Sequence, residues 1–350
     1  MAEGGQVSVC GGLRYQVVLV DYDPIIFAPV GFESELLARV GASWRTYQCR
    51  SQQETLDVAR DADVVVVQTV RPLLTREVIG QLTRCRCIIR AGAGYDSVDY
   101  RATVEQGIML CNTPTYCTDE VADNAIALML SAVRHIPRLD AAMRGNGKAP
   151  GRFARELAIP TRRIKGTTLG IIGLGRIGGT VARRVKGWEM KVIAYDPYVG
   201  QERGDELGAR MVSLEELLDR SDMISVHCPL TEETHHMLSW EQFARVKPGL
   251  VLVNTARGPI VHQEPLVEAL KDGRVWSAGL DVFEQEPLPA DSPLFGLNNV
   301  ILTPHISANS PEARHDLYRL ICEVSSDVVQ GRIPQFVVNP EVLGHLRRVE

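Results

Sequence analysis

Residues 169–184 read LGIIGLGRIGGTVARR. An apolar run with strand character (168–172) ends at Gly173, glycines recur at Gly175 and Gly178, and a helical pattern follows. The first glycine permits a tight turn. The second lets backbone N–H groups approach a pyrophosphate, and the third lets helix and strand pack closely. The phosphates would then sit at the positive end of the helix. Three glycines at this spacing are a weak signal by themselves, and a purely structural glycine turn is the competing reading. The context is stronger. A second strand pattern, 191–195, ends at Asp196, 18 positions past Gly178, close to the spacing of about 20 for a carboxylate that binds ribose hydroxyls. A carboxylate there repels a 2′-phosphate, and Pro197 and Tyr198 are not basic. NAD is therefore expected over NADP.

Outward from this loop, β-rich runs alternate with helical patterns. Before it, strands are expected at 15–20, 63–68, 87–90 and 108–111, with helices at 32–39 and 75–82. A long helix pattern covers 121–144, with Thr118-Asp-Glu offering capping residues in front. A polar stretch with Gly and Pro, 145–165, reads as a surface loop. From 167 onward strands are expected at 168–172, 191–195, 223–227, 250–254, 276–280 and 300–303. Such alternation gives parallel sheets with helices on both faces. A further helix starts at Pro311, and 331–338 is an extended end that could return to the first half. No short tandem repeat is visible.

The chain has 350 residues, more than one typical core holds, so two domains are expected. Apolar residues make up 45% and charged residues 23%, with a formal net charge of −5. With no basic block, nucleic acid is not an expected partner. The longest apolar runs, such as 64–67 and 249–253, fall far short of the roughly 20 residues that cross a bilayer. The first twelve residues carry no secretory pattern and read as a tail, so a cytoplasmic location is expected. The eight cysteines (10, 49, 85, 87, 111, 117, 228 and 322) are scattered, which favours reduced thiols over a disulfide framework. Cys85-x-Cys87 has no second ligand cluster, so no metal is expected.

Chemistry in an open parallel sheet collects at the carboxyl ends of its strands. Three of these ends carry ionisable residues: Arg257 in Thr255-Ala-Arg-Gly-Pro, Glu286 in Asp281-Val-Phe-Glu-Gln-Glu-Pro, and His305 after Pro304. Singly, each has an ordinary structural reading: a surface ion pair, a turn cap, a loop histidine. Beside a dinucleotide site they form a set. Reducing a 2-oxo acid needs a cation for the carboxylate, and the planar fork of arginine suits it. It also needs a proton donor near neutrality, which suits histidine. A neighbouring carboxylate would stabilise the imidazolium and orient the ring.

The stretches LGIIGLGRIGGTVARR, VNTARGPIV, GLDVFEQEP and TPHIS, with weaker RAGAGYDSVD, NTPTYCTDEVADNAIALML and HCPLTEET, occur in one order across about 87–310. In them the chain resembles the D-isomer-specific 2-hydroxyacid dehydrogenase family. The resemblance implies an α/β fold of two doubly wound parallel-sheet domains. A Rossmann NAD domain (119–305) would be inserted into a discontinuous, flavodoxin-like substrate domain (1–118 and 306–350), with the active site in the cleft. It implies Arg257 as the substrate-binding arginine, His305 as the general acid/base and Glu286 as its partner, with Asp281 on the nicotinamide carboxamide. The cofactor set it implies is Gly173, Gly175, Arg176, Ile177, Gly178, Asp196, His227, Pro229, Thr234, Thr255, Ala256, Asp281 and Thr118. Backbone N–H groups of Ala93 and Gly94 would cradle the substrate carboxylate. Arg90 is a further candidate, with a strand-end surface charge as its alternative. A homodimer built on the long helix is also implied.

Within the family, the 186–198 stretch and the ending GRIPQFVVNPEV resemble the C-terminal-binding-protein branch. That branch has tryptophan where this chain has Ala308, which puts its substrate and its corepressor role in doubt. Glu286 stands where formate dehydrogenases carry glutamine, so formate is disfavoured. The expected reaction is hydride transfer between NAD(H) and C2 of a small D-2-hydroxy or 2-oxo acid. The candidates are phosphoglycerate-type, glyoxylate or hydroxypyruvate, and branched or aromatic acids. Arg90 and the loop 152–165 are possible extra cations for a phosphate. The alternative from another class is an NAD(H)-sensing scaffold with little turnover.

Overall fold

The computed structural model describes residues 13–144 and 159–347. The N-terminal tail, Cys10, Arg152 and most of the expected 145–165 loop lie outside the described residues. The chain forms two compact units, one of 1–117 with 309–350 and the other of 118–308.

The first unit contains β1 (Tyr15–Leu19), β2 (Ala42–Thr46), β3 (Val64–Val67), β4 (Cys87–Arg90) and β5 (Met109–Asn112), all parallel, in the order β2-β1-β3-β4-β5. β3 is four consecutive valines, each fully buried. A parallel strand covered on both faces takes such β-branched runs. Helices α1 (Glu33–Ala38), α2 (Gln52–Ala59), α3 (Arg76–Ile79) and α4 (Tyr100–Glu105) connect the strands. The Ser51 hydroxyl accepts from Glu54 N–H to cap α2, and the Asp99 carboxylate accepts from Ala102 N–H to cap α4. A C-terminal helix, Pro311–Val329, opens with Ser310 capping Ala313 N–H and Pro311 in its first turn. It packs Leu317, Tyr318 and Ile321 against β1, β3 and β4 residues. The extended tail then reaches β5, where Val338 N–H donates to the Leu110 carbonyl at 2.8 Å. Sequence patterning does not mark β2, α2 or α4. β2 is a half-exposed edge strand of mixed polarity, and α4 has barely two turns, so neither shows a clear periodicity.

The second unit holds a seven-stranded parallel sheet: β6 (Thr168–Ile172), β7 (Lys191–Tyr195), β8 (Arg210–Met211), β9 (Met223–Val226), β10 (Leu250–Asn254), β11 (Val275–Leu280) and β12 (Val300–Leu302). Their order is β12-β11-β10-β9-β6-β7-β8. The order reverses between β6 and β9, which is where a doubly wound sheet opens a crevice at its carboxyl edge. Its helices are α5 (Thr118–Arg134), α6 (Ile136–Arg144), α7 (Arg176–Val185), α8 (Gln201–Leu207), α9 (Leu214–Arg220), α10 (Trp240–Arg245) and α11 (Gln263–Lys271). α5 buries Val121, Ala122, Ala125, Leu128, Met129 and Ala132, a helical stripe laid on β10 and β11. Gly279 makes room for it, since a Cβ there would lie 2.8 Å from Leu128 Cβ. The expected single helix over 121–144 is two helices. His135 turns left-handed at φ 50°, and Pro137 follows in the first turn of α6. Proline has no N–H to donate back along a continuous helix.

Candidate active site

The glycine loop begins at the end of β6. Gly173 has φ 90°, and a Cβ on it would sit 2.5 Å from the Cys228 backbone nitrogen just past β9. A side chain there would close the crevice between β6 and β9. A Cβ on Gly178 would lie 2.1 Å from the Gly173 carbonyl oxygen, so helix α7 meets the turn only as glycine. Gly175, at the N-cap of α7, has no capping side chain and open space beyond its Cβ position. The uncapped N–H groups of a ten-residue helix thus face room for an anion. Arg176 is exposed and Ile177 half-buried beside it. Asp196 lies just past β7, where one carboxylate oxygen accepts from Leu174 N–H at 2.9 Å and the other from Tyr198 N–H at 3.0 Å.

Two buried polar atoms at neighbouring strand ends have no hydrogen-bond partner among the described residues: His227 Nδ1, past β9, and Thr255 Oγ1, past β10. Burial pushes the His227 pKa down to about 4, so the ring is neutral near pH 7, and its Nε2 shares a 2.8 Å bond with Ser225 Oγ. Orphaned polar atoms around an uncapped helix start and a ribose-type carboxylate fit a dinucleotide. Thr234 is different. Its hydroxyl donates to the Pro229 carbonyl at 2.7 Å and accepts from Thr231 N–H, which fastens the 229–234 turn. Thr118 is the first residue of α5.

At the end of β10, the Asn254 carboxamide accepts from Ala256 N–H at 3.0 Å and donates to the Arg257 carbonyl at 2.9 Å. This ties off the turn that presents half-buried Arg257, whose Nη1 donates to the Ala256 carbonyl. The next residue, Gly258, presses on the loop after β11. A Cβ on it would fall 1.8 Å from the Phe283 carbonyl carbon.

Asp281, at the end of β11, is fully buried. Its carboxylate accepts from Thr303 Oγ1 and Ile306 N–H through Oδ1, and from Ser307 N–H and Oγ through Oδ2. Four donors use its lone pairs, so Asp281 anchors the 303–307 turn. A nicotinamide carboxamide would have to displace one of them. That turn holds His305 at φ 50°, with its N–H donating to the Asp281 carbonyl at 2.8 Å. The His305 ring meets Glu286 with Nδ1 and Oε2 2.7 Å apart. The other Glu286 oxygen accepts from Phe283 N–H at 3.0 Å. Burial alone would raise the Glu286 pKa. The bond and charge of His305, the Phe283 amide and the Arg257 charge outweigh it, so the carboxyl lies below its ordinary value and is ionised near neutrality. Asn254, Thr303 and Ser307 also build this frame, and sequence patterning does not single them out: Asn254 is a buried polar residue at a strand end, while Thr303 and Ser307 gain their roles only through the fold of the 303–307 turn.

Arg90, Ala93 and Gly94 belong to the first unit, at the carboxyl end of β4. Arg90 is buried and its Nη1 donates to the Ala91 carbonyl. The Ala93 carbonyl accepts from Asn112 Nδ2 at 2.7 Å.

The family model for the D-isomer specific 2-hydroxyacid dehydrogenase NAD-binding domain matches residues 126–307. A glyoxylate reductase of Korarchaeum cryptofilum is 39% identical over 86% of this chain and 90% of its own length. A D-3-phosphoglycerate dehydrogenase of Methanocaldococcus jannaschii is 39% identical over 85% of this chain, which spans only 56% of that relative. The holo structure of Rhodotorula graminis D-mandelate dehydrogenase superposes with a TM-score of 0.81 at 30% identity, over 93% of this chain and 97% of that one. The chain belongs to the D-isomer specific 2-hydroxyacid dehydrogenase family. It is an NAD-dependent oxidoreductase acting on 2-hydroxy acids. No described helix is long and apolar enough to cross a membrane.

Proposed function

We propose that the chain interconverts a short 2-oxo acid of the glyoxylate class and its D-2-hydroxy acid, with Arg257, Glu286 and His305 as the working groups. The observation that carries this reading is the 2.7 Å His305–Glu286 pair at the carboxyl edge of the same sheet as the glycine loop. Glyoxylate reductases of Korarchaeum cryptofilum and Thermococcus litoralis, 39% and 38% identical over 86% of this chain, support the glyoxylate class.

The cofactor would be held by the Gly173–Gly178 loop, Asp196, Thr255 and His227; NADH, when bound, supplies the hydride that reduces C2. Arg257 binds the substrate carboxylate through its fork. Ionised Glu286 accepts from His305 Nδ1–H, which fixes the ring and leaves Nε2 toward the substrate oxygen. In the reductive direction His305 gives the Nε2 proton to the carbonyl oxygen as it becomes a hydroxyl. In the oxidative direction the neutral ring takes that proton back. Asp281 fixes the turn that carries His305.

The test is His305→Gln against wild type, following NADH consumption on glyoxylate, hydroxypyruvate, 3-phosphohydroxypyruvate and phenylpyruvate. The expected result is a loss of roughly 10²–10⁴-fold in kcat with NADH affinity kept. Near wild-type turnover would remove His305 from this role, and a preference for the phosphorylated acid would overturn the substrate class. We extend the proposal to a homodimer. α6 buries none of its residues and leaves Ile136 and Met143 exposed. A monomeric mass by light scattering would refute it.

A further inference from the structure

His236, His262 and Glu284 form a cluster that the proposed reaction does not use. One ligand-type atom from each lies within 4.8 Å of those of the other two. His236 Nε2 is 2.8 Å from Glu284 Oε1. The His236 and His262 rings stack at 4.1 Å between centroids and 2° between planes. The residues come from three segments: the turn after β9, the start of α11, and the loop after β11.

Backbone bonds hold each of them in place. His236 N–H donates to the Pro259 carbonyl at 2.7 Å, and His236 keeps a left-handed φ of 53°. A non-glycine residue held there needs support from its surroundings. His262 N–H donates to the Leu238 carbonyl at 2.9 Å. Glu284 Oε1 accepts from Gln263 N–H at 3.2 Å. His262 Nδ1 lies 2.9 Å from Ser239 Oγ. With the proton on Nδ1 and donated to that hydroxyl, Nε2 carries the free lone pair, as a metal-binding histidine is usually set up by its outer partner.

We propose that His236, His262 and Glu284 bind a divalent transition-metal ion of the zinc type. Two imidazoles and one carboxylate suit zinc and leave a fourth position for water. The side chains of His236 and Glu284 are about one-third exposed, at 34% and 30%, so the ion has access. Parallel rings place their lone pairs side by side, so binding turns one ring about its Cβ–Cγ bond; for His236 this also breaks its stack on His235, whose ring centroid lies 4.0 Å away. The ion would join the 257–263 segment, which carries Arg257, to the 281–287 loop, which carries Glu286.

The test uses full-length protein stripped with chelator, then Zn²⁺ by equilibrium dialysis and Co²⁺ by visible absorption. Wild type should bind one ion more than either His262→Gln or Glu284→Gln. Its Co²⁺ spectrum should show d–d bands of nitrogen and oxygen ligation without a thiolate charge-transfer band, which separates the site from the cysteines. His305→Gln should keep the ion, which separates it from the His305–Glu286 pair. NADH titration of each variant checks that it has folded. Equal stoichiometry and affinity in wild type and both cluster variants, or no binding by wild type, would overturn the proposal.

Discussion

The contact between Gly258 and the loop after β11 gives the sharpest test of how the proposed site is held. A Cβ at position 258 would sit 1.8 Å from the Phe283 carbonyl carbon, 1.9 Å from its oxygen and 2.5 Å from Glu284 N. All three are backbone atoms, so no side chain can swing away. Real Cβ atoms do not approach closer than 3.0 Å, so Gly258→Ala must part the two segments by at least 1.2 Å, that is 3.0 minus 1.8. Arg257 rides on one of these segments. The other carries Phe283, whose N–H fixes Glu286. A displacement of about 1 Å in positioning groups can cost on the order of 10²-fold in rate, and overpacking of this kind costs about 1–3 kcal/mol in stability. The expected result is therefore a fall of roughly 10²-fold in kcat/KM, with NADH affinity reduced by no more than the roughly tenfold that loss of Thr255 would give, because the glycine loop is untouched. Steady-state kinetics, NADH fluorescence titration and urea melts read the three quantities separately. Near wild-type kcat/KM in a variant that is measurably less stable would refute the reasoning, since the close approach would then have no part in aligning Arg257 with Glu286.

Asp196→Ala should weaken NADH and spare NADPH, because it removes both the ribose acceptor and the charge that repels a 2′-phosphate. At about 1.5–3 kcal/mol for a hydrogen bond to a charged group, the kcat/KM ratio of NADPH to NADH should rise about 10- to 100-fold, and an unchanged ratio would count against Asp196 as the ribose residue. His227 gives a pH effect. Its folded pKa of about 4 lies below the unfolded value near 6.5, so the unfolded chain takes up the proton first, and stability falls as pH drops from about 6.5 toward 4. At 1.4 kcal/mol per pH unit over roughly 2.5 units, the full effect is at most about 3.5 kcal/mol. The stability difference between wild type and His227→Gln should therefore change across that window in urea melts, and a constant difference would show that His227 does not titrate there.

The sheet architecture was legible because its strands are short apolar runs such as the four valines of β3, set between helical patterns and turns. The glycine loop was legible because each glycine answers a separate steric demand, at Gly173 against Cys228 and at Gly178 against the Gly173 carbonyl. Arg257, Glu286 and His305 stood out as ionisable residues at strand ends, and the fold sets His305 and Glu286 in contact. Other features depend on packing that spacing does not encode. The break at His135 rests on a left-handed backbone at that residue, which spacing does not show, next to the Pro137 that the sequence does show. The His236–His262–Glu284 cluster draws single residues from three segments, so it has no ligand spacing to detect. The family resemblance assigns Asp281 to the nicotinamide carboxamide, whereas its four bonds within the chain exist only once the 303–307 turn folds over it.

Asp281 and Thr255 mark two kinds of buried polar group at the same sheet edge. The Asp281 carboxylate has every acceptor position engaged within the chain, while Thr255 Oγ1 is buried with no partner among the described residues. A buried group with its bonds made stabilises the apo fold. A buried group without them costs free energy until something arrives to bond it. The two should therefore respond oppositely to near-isosteric replacement. Asp281→Asn brings an amide N–H₂ against donors that had accepting oxygens, and the loss of two charge-assisted bonds costs about 3 kcal/mol in the cofactor-free protein. Thr255→Val removes an unsatisfied hydroxyl, so the cofactor-free protein should be as stable or up to about 1 kcal/mol more stable, while NADH should bind roughly tenfold more weakly. Urea melts without cofactor, paired with NADH titration, separate the two effects. A Thr255→Val variant that lost apo stability and bound NADH normally would place Thr255 with the frame, and the division between satisfied frame and unsatisfied ligand surface would fail at this sheet edge.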